Sequence, residues 1–279
     1  MMKLSIRAWE ELGIAPPYLP AFYEEESLKA QPVLTPPAQD SSNRSGPKAS
    51  SVNRIGAERP RPSSIKAEPH LGSPPAIKPS GPAMVSTPEH LAEIAKLDWD
   101  RMNKAIEACS ACSLHQSRSR IVPGVGDRQA TWLFVGEAPG VEEDQQGEPF
   151  VGPAGILLDS MLAALSLSRM QDVYIANVIK CHPPDNRTPV SVECHACMPY
   201  LERQITLLQP KIIVALGKVA AQSLLNSDIN LGSLRNKVHA YGNIPLIVTF
   251  HPAYLLRNMP EKGKAWADLC LAKKTLNQA

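Results

Sequence analysis

The chain has 279 residues, a formal net charge of +2 and six cysteines. That length suits one large domain or two small ones, and so small a charge does not by itself argue for a nucleic-acid partner. No stretch is long and apolar enough to span a membrane, so no membrane partner is expected, and residues 1–20 lack the apolar core and cleavage site of a secretory signal.

The expected location is the reducing cytoplasm. Cysteines there serve as ligands or buried thiols rather than disulfides. Residues 1–30 carry a short apolar pattern (Leu4, Ile6, Trp9, Leu12, Ile14), and Gly13 and Pro16 would stop a helix begun near Ser5. This segment reads as a short docking element for a partner protein, or as a terminus with incidental apolar residues. Residues 31–87 contain no Phe, Trp or Tyr, abound in Pro, Ser and Ala, and hold more Lys and Arg than Asp and Glu. Such a stretch cannot bury enough apolar surface to offset its ordering entropy and is expected to be a disordered linker. A globular domain is expected over 88–279.

Within that domain a lead-in helix is expected over 88–108. Four β-rich runs follow: "TWLFVG" (131–136), "VYIANVI" (173–179), "KIIVALG" (211–217) and "PLIVTFH" (245–251). Their nearly continuous apolar character suits strands covered on both faces. Helical patterns lie between and after them, at about 154–167, 191–209, 217–226 and 261–277. The alternation predicts an α/β fold: three layers around a central four-stranded parallel sheet. The polar, irregular segments "GEAPG", "KCHPPDNRTP", "GKVA" and "HPAYLLRN" all follow strands. Ligands of open parallel sheets bind at that carboxyl edge. The glycine loop 136–155 is unusual in being acidic, with Glu137, Glu142, Glu143, Asp144 and Glu148, so it does not read as a phosphate cradle.

Cys109 and Cys112 form "CSAC", Cys181 follows the second strand run, and Cys194 and Cys197 stand in "ECHAC". "CSAC" ends a helix, so no helix dipole lowers a thiol pKa there and a redox dithiol is disfavoured. Two thiols from "CSAC", Cys181 and either Cys194 or Cys197 can hold zinc or an iron–sulfur cluster, and spacing does not choose between these metals. Cys270 lies in an amphipathic helix and reads as a core thiol.

Taken together, "CSACSL", "FVGEAPGVEEDQQGEPFVGPAG", "NVIKCHPPDNRTP", "CMPYLERQI", "IIVALGKVA" and "HPAYLLRN" resemble the family 4 uracil-DNA glycosylases, the iron–sulfur branch of that superfamily, over roughly residues 92–275. The resemblance implies a DNA repair enzyme that hydrolyses the N-glycosidic bond of uracil and leaves an abasic site. It implies a [4Fe–4S] cluster held by Cys109, Cys112, Cys181 and Cys197, with Cys194 extra. The implied partner is uracil-containing DNA, single or double stranded, bound by a monomer that is thereby associated with the nucleoid, and a docking element at residues 1–30 would then meet a replication or repair protein.

The same resemblance assigns roles. Glu137 stabilises the positively charged sugar or orders the water. Ala138 stands where the best-known uracil glycosylases carry an aspartate. Phe150 stacks on uracil, Asn177 reads its O4 and N3–H, and Glu143 crowds C5 and excludes thymine. His251 hydrogen-bonds O2. Leu255, Leu256 and Arg257 enter or touch the duplex, and Lys218 and residues 185–189 lie near DNA. Competing readings are a non-catalytic nucleic-acid-binding module attached to replication or repair proteins, and a zinc-stabilised nucleotide-binding enzyme. A covalent-trapping relative is disfavoured, because "KCHPPDNRTPV" lacks that branch's inserted basic loop.

Overall fold

In this computed structural model residues 87–278 are described. The expected docking segment 1–30, and the expected linker apart from Thr87, lie outside the described residues. Two helices lead in, α1 (Pro88–Ile94) and α2 (Trp99–Ala108), where one was expected. Each has its own start signal. The Thr87 hydroxyl accepts from the His90 N–H with Pro88 next to it, and the Asp98 carboxylate accepts from the Arg101 N–H at 2.8 Å.

The sheet then builds from β1 (Val125–Gly126), β2 (Trp132–Gly136), β3 (Val173–Asn177), β4 (Ile212–Leu216), β5 (Val238–Tyr241) and β6 (Ile244–Thr249), in the order β1-β3-β2-β4-β6-β5. Between and after them run α3 (Val141–Gln146), α4 (Pro153–Ala164), α5 (Ser191–Leu208), α6 (Lys218–Leu225), α7 (Leu231–Leu234), α8 (Pro252–Arg257) and α9 (Lys262–Leu276). The fold is α/β, but the sheet is mixed and six-stranded, which corrects the expected four-stranded parallel sheet. The pairs β2–β3, β2–β4 and β4–β6 are parallel, while β1 and β5 pair antiparallel with β3 and β6 at the two edges. β1 has two residues and β5 alternates between exposed and half-buried positions. Neither has the continuous apolar run that marks a strand covered on both faces.

Every residue of β2, β3 and β4 is buried. Leu133, Val135, Ile213, Ala215, Leu246 and Val248 face one apolar cluster, which includes Ile94, Met102, Tyr200 and Leu224 from α1, α2, α5 and α6. Trp132, Phe134, Ile212, Val214 and Ile247 face the other, with Leu158 of α4, Leu255 of α8 and Trp266 of α9. The period-two alternation of strands thus supplies both cores. Each fully buried large side chain contributes roughly 1.5–3 kcal/mol of transfer free energy. This fixes the strand ends, and with them the loops that follow. No helix among the described residues is long and apolar enough to cross a membrane.

Candidate active site

The parallel register places Gly136 at the end of β2 opposite Asn177 at the end of β3. A side chain at 136 has no room: its Cβ would lie 2.4 Å from Asn177 Oδ1 and 2.6 Å from the Phe150 ring. Gly217, at φ +93°, ends β4 in the same manner, with its Cβ position 2.9 Å from that of His251. Glycine at these two points lets the three loops close around one cleft of about 640 Å³. Its lining includes Glu137, Glu142, Glu143, Phe150, Asn177, Arg187, Thr188, His251, Tyr254 and Arg257.

Asn177 is 1 % exposed, and its Oδ1 has no hydrogen-bond partner among the described residues. An orphaned buried amide oxygen is costly, and it calls for a partner such as a ligand or a water. His251 Nδ1 accepts from the Ala253 N–H at 3.2 Å. That bond leaves the ring hydrogen on Nε2, as a donor. Burial pulls the imidazole pKa down to about 4; nearby Glu143 opposes the shift and Arg257 adds to it. The ring is therefore neutral at physiological pH. The Phe150 ring lies beside it, with centroids 5.5 Å apart and planes 30° from parallel.

The acidic loop divides its carboxylates between two tasks. Glu143 is buried, and its oxygens accept from the N–H groups of Gly140, Val151 and Gly152. Asp144 is buried too and accepts from Ser119 and Arg120. These two fold the loop, satisfying backbone donors that would otherwise be stranded. Glu142 stays exposed at the rim. Glu137 is half-buried, and burial raises its carboxyl pKa while a hydrogen bond with the Thr188 side chain opposes the rise.

The structure separates the expected DNA-contacting residues. Leu256 is 42 % exposed and Arg257 is exposed, but Leu255 is 1 % exposed and packs into the core. A side chain so enclosed offers no surface to DNA. Tyr254, 38 % exposed and stacked on Phe250 at 5.0 Å, stands at the cleft mouth instead. Lys218 is exposed but does not line the cleft. In the 185–189 segment, Asn186, Arg187 and Thr188 line the cleft, and Arg187 forms a two-pronged ion pair with buried Glu193 at 2.6 and 2.8 Å.

On the far side of β3, Cys109, Cys112, Cys181 and Cys197 line one small cavity with Arg118, Lys180 and Tyr200. Cys194 does not; its thiol hydrogen-bonds with the Ser223 side chain. Burial pushes the Cys112 thiol up to about 11 and Cys197 to about 12, and also raises Cys181. Cys112, Cys181 and Cys197 so placed resist ionising unless metal takes up the charge. Two cations face them. Arg118 Nη1 lies 3.1 Å from Cys181 Sγ, and the fully buried Lys180 adjoins Cys181 and Cys197. Among the described residues no three His, Cys, Asp or Glu donors close on one point as a single metal ion requires. Four cysteines lining one cavity nevertheless make up the donor set of an iron–sulfur site.

The family model described as the uracil DNA glycosylase superfamily matches residues 123–271. A type-4 uracil-DNA glycosylase of Pyrobaculum aerophilum is 40 % identical over 183 residues, which cover 63 % of this chain and 93 % of that protein. The protein of the same name from Archaeoglobus fulgidus is 44 % identical over 165 residues, 56 % of this chain and 82 % of its own length. That from Thermotoga maritima is 42 % identical over 174 residues, 62 % and 86 %.

Proposed function

The chain belongs to the uracil-DNA glycosylase superfamily, and from that membership we propose how its cleft carries out the reaction. The protein is a DNA repair enzyme, a uracil-DNA glycosylase that hydrolyses the bond between uracil and deoxyribose. The target nucleotide must leave the stack to reach any enclosed site. Once out, uracil lies on the Phe150 ring. Asn177 Oδ1 accepts from N3–H and Nδ2 donates to O4. Cytosine presents the reverse pattern and is refused. Glu143, held by three backbone donors, forms part of the wall at C5 and keeps out the thymine methyl group.

As the C1′–N1 bond breaks, its electron pair leaves with the base and the sugar becomes cationic. The neutral His251 donates from Nε2 to O2, where negative charge grows. It does so without changing protonation state, since its pKa near 4 keeps it a neutral donor. Glu137 stabilises the cationic sugar. It also accepts a hydrogen bond from the water that adds to C1′, and takes the proton that water loses. Leu256 and Tyr254 occupy the space the base vacates, and Arg257 meets phosphate. Cys109, Cys112, Cys181 and Cys197 would hold a [4Fe–4S] cluster, which when bound ties α2, the segment after β3 and α5 together. Hydrolysis transfers no electron, so its contribution is structural.

The observation that carries this reading is the buried, unpartnered Oδ1 of Asn177, a residue that lines the same cleft as a neutral histidine donor. The test is incubation of the iron-loaded protein with matched uracil, cytosine and thymine oligonucleotides. Free uracil and an alkali-labile site are expected from the first alone; release of cytosine at a comparable rate would end the Asn177 account. The reading also makes residues 88–279 the catalytic domain of a cytoplasmic monomer. Deleting residues 1–86, which keeps the Thr87 cap of α1, should leave excision from a short oligonucleotide intact.

A further inference from the structure

Phe150 adopts a backbone conformation that an aromatic residue rarely takes, φ +56°, in the left-handed region. Such a residue persists only where its surroundings over-determine it. Arg169, in the connection between α4 and β3, supplies the restraint. Its Nη1 donates to the Pro149 carbonyl oxygen and its Nη2 to that of Phe150, both at 2.7 Å. The same guanidinium is anchored from behind by Asp159 of α4, at 3.1 Å from Nε and 2.9 Å from Nη2. Opposite, the Phe150 carbonyl lodges against the first turn of α4 at Gly155, where a Cβ would lie 1.8 Å from the oxygen.

We propose that Arg169 is a positioning residue for uracil excision: its fork holds two consecutive carbonyls and thereby fixes the angle at which the Phe150 ring meets the flipped base. The planar guanidinium suits this task, since it offers parallel donors in a rigid plane that a lysine ammonium cannot reproduce. Its side chain is 18 % exposed, against 50 % for Asp159, so the bonds to the carbonyls lie largely out of water. Arg169 does not line the cleft and acts on the base only through Phe150. A small rotation of a stacking platform moves the base away from Asn177 and His251 together, and alignment of this kind governs rate strongly.

The inference rests on Phe150 being the base-stacking surface. The experiment is a double-mutant cycle read by single-turnover uracil excision with Arg169→Leu, Phe150→Ala and the pair, each checked for cluster absorbance and melting temperature. Arg169→Leu should slow excision about tenfold in the parent, an order-of-magnitude expectation for lost alignment. In the Phe150→Ala background it should cost less than about twofold, because coupled residues do not add. An undiminished Arg169→Leu loss in that background, or no loss in the parent, overturns the role of Arg169 and leaves Phe150 in place. Excision unchanged by Phe150→Ala overturns the stacking role, and this inference with it. Should the leucine variant fail to fold, Arg169→Lys, which keeps the charge but not the fork, enters the same cycle with the same expected coupling.

Discussion

Lys180 donates to the main-chain oxygen of Asn177 at 2.6 Å, with both residues buried and Cys181 next in the chain. The same ammonium donates to Gln204 Oε1 at 2.7 Å, and Gln204 Nε2 donates onward to Pro123 O at 2.7 Å. One buried cation thus ties the end of β3 to α5, between the cysteine cavity and the proposed base-reading amide.

Lys180→Met keeps the volume but removes the donor from two buried acceptors. An unmatched buried acceptor costs about 1–3 kcal/mol. The variant should melt several degrees lower and excise uracil more slowly, because the Asn177 backbone loses its anchor. Differential scanning calorimetry and single-turnover excision check this. Unchanged values for both would show that the end of β3 is held without Lys180.

The pH behaviour separates Glu137 from His251. The His251 pKa is lowered to about 4 in the folded protein, so between about pH 6.5 and 4 the unfolded chain binds a proton that the folded one does not. Its contribution to stability is present above pH 6.5 and is lost as pH falls through that window, amounting to roughly 3 kcal/mol. His251→Gln should show a correspondingly flatter loss of stability between those values in denaturant titrations. Glu137 moves the other way, its pKa raised by burial. The single-turnover rate should therefore fall on the acid side with an apparent pKa above that of a free glutamate. Glu137→Gln should be slow and lack that limb, while binding to uracil-containing DNA is retained. A limb of the same midpoint in Glu137→Gln would assign the proton to another group.

For the cysteines, the expected outcome is that Cys197→Ala loses iron and Cys194→Ala keeps it. Cys197 is buried against the shared cavity, whereas Cys194 hydrogen-bonds with Ser223 outside it. Iron and sulfide analysis of anaerobically purified variants, with the visible absorbance, is the measurement. The opposite pattern would move the fourth ligand back by one helical turn.

The parts of this molecule that leave a continuous chemical trace are legible in its sequence. The runs that became β2, β3, β4 and β6 are apolar on both faces, and the polar loops after them are conspicuous by contrast. Asn177 stood out as a bare amide ending a buried strand. The remainder depends on packing. β1 and β5 complete the sheet edges with little burial of their own. Which leucine of "YLLR" turns inward follows from the phase of α8 against α4 and α9, and it is Leu255. The resemblance gives Glu143 a place near C5, but its part in folding the loop is visible only once its three backbone donors converge on it. Arg169 shows no periodicity or motif, and Lys180 stands inside "NVIKCHPPDNRTP" without a legible role, because main-chain oxygens are their partners and the position of these exists only in the fold. Cys194 and Cys197 were equal candidates by spacing, since a helical turn separates them and only tertiary contacts say which one faces the cavity.

Asn177→Asp tests the base-reading account most directly. Uracil offers an acceptor at O4 and a donor at N3, and the Asn177 amide matches both. The ionised carboxylate has acceptors only. It would keep the contact with N3–H and face O4 with like polarity, in a position only 1 % exposed where no water can compensate. A buried mismatch costs about 1–3 kcal/mol, and if it persists in the transition state the rate falls roughly tenfold to a hundredfold. The same carboxylate can accept from cytosine N4, but it satisfies N3 only after one partner gains a proton. Uracil excision should therefore fall by at least about tenfold, with any cytosine release weak and greatest at mildly acidic pH. Single-turnover assays on matched uracil and cytosine oligonucleotides measure both, alongside the cluster absorbance of the variant. Unchanged uracil excision by a folded, iron-loaded Asn177→Asp protein would remove this residue from base recognition, and the orphaned Oδ1 would need another ligand.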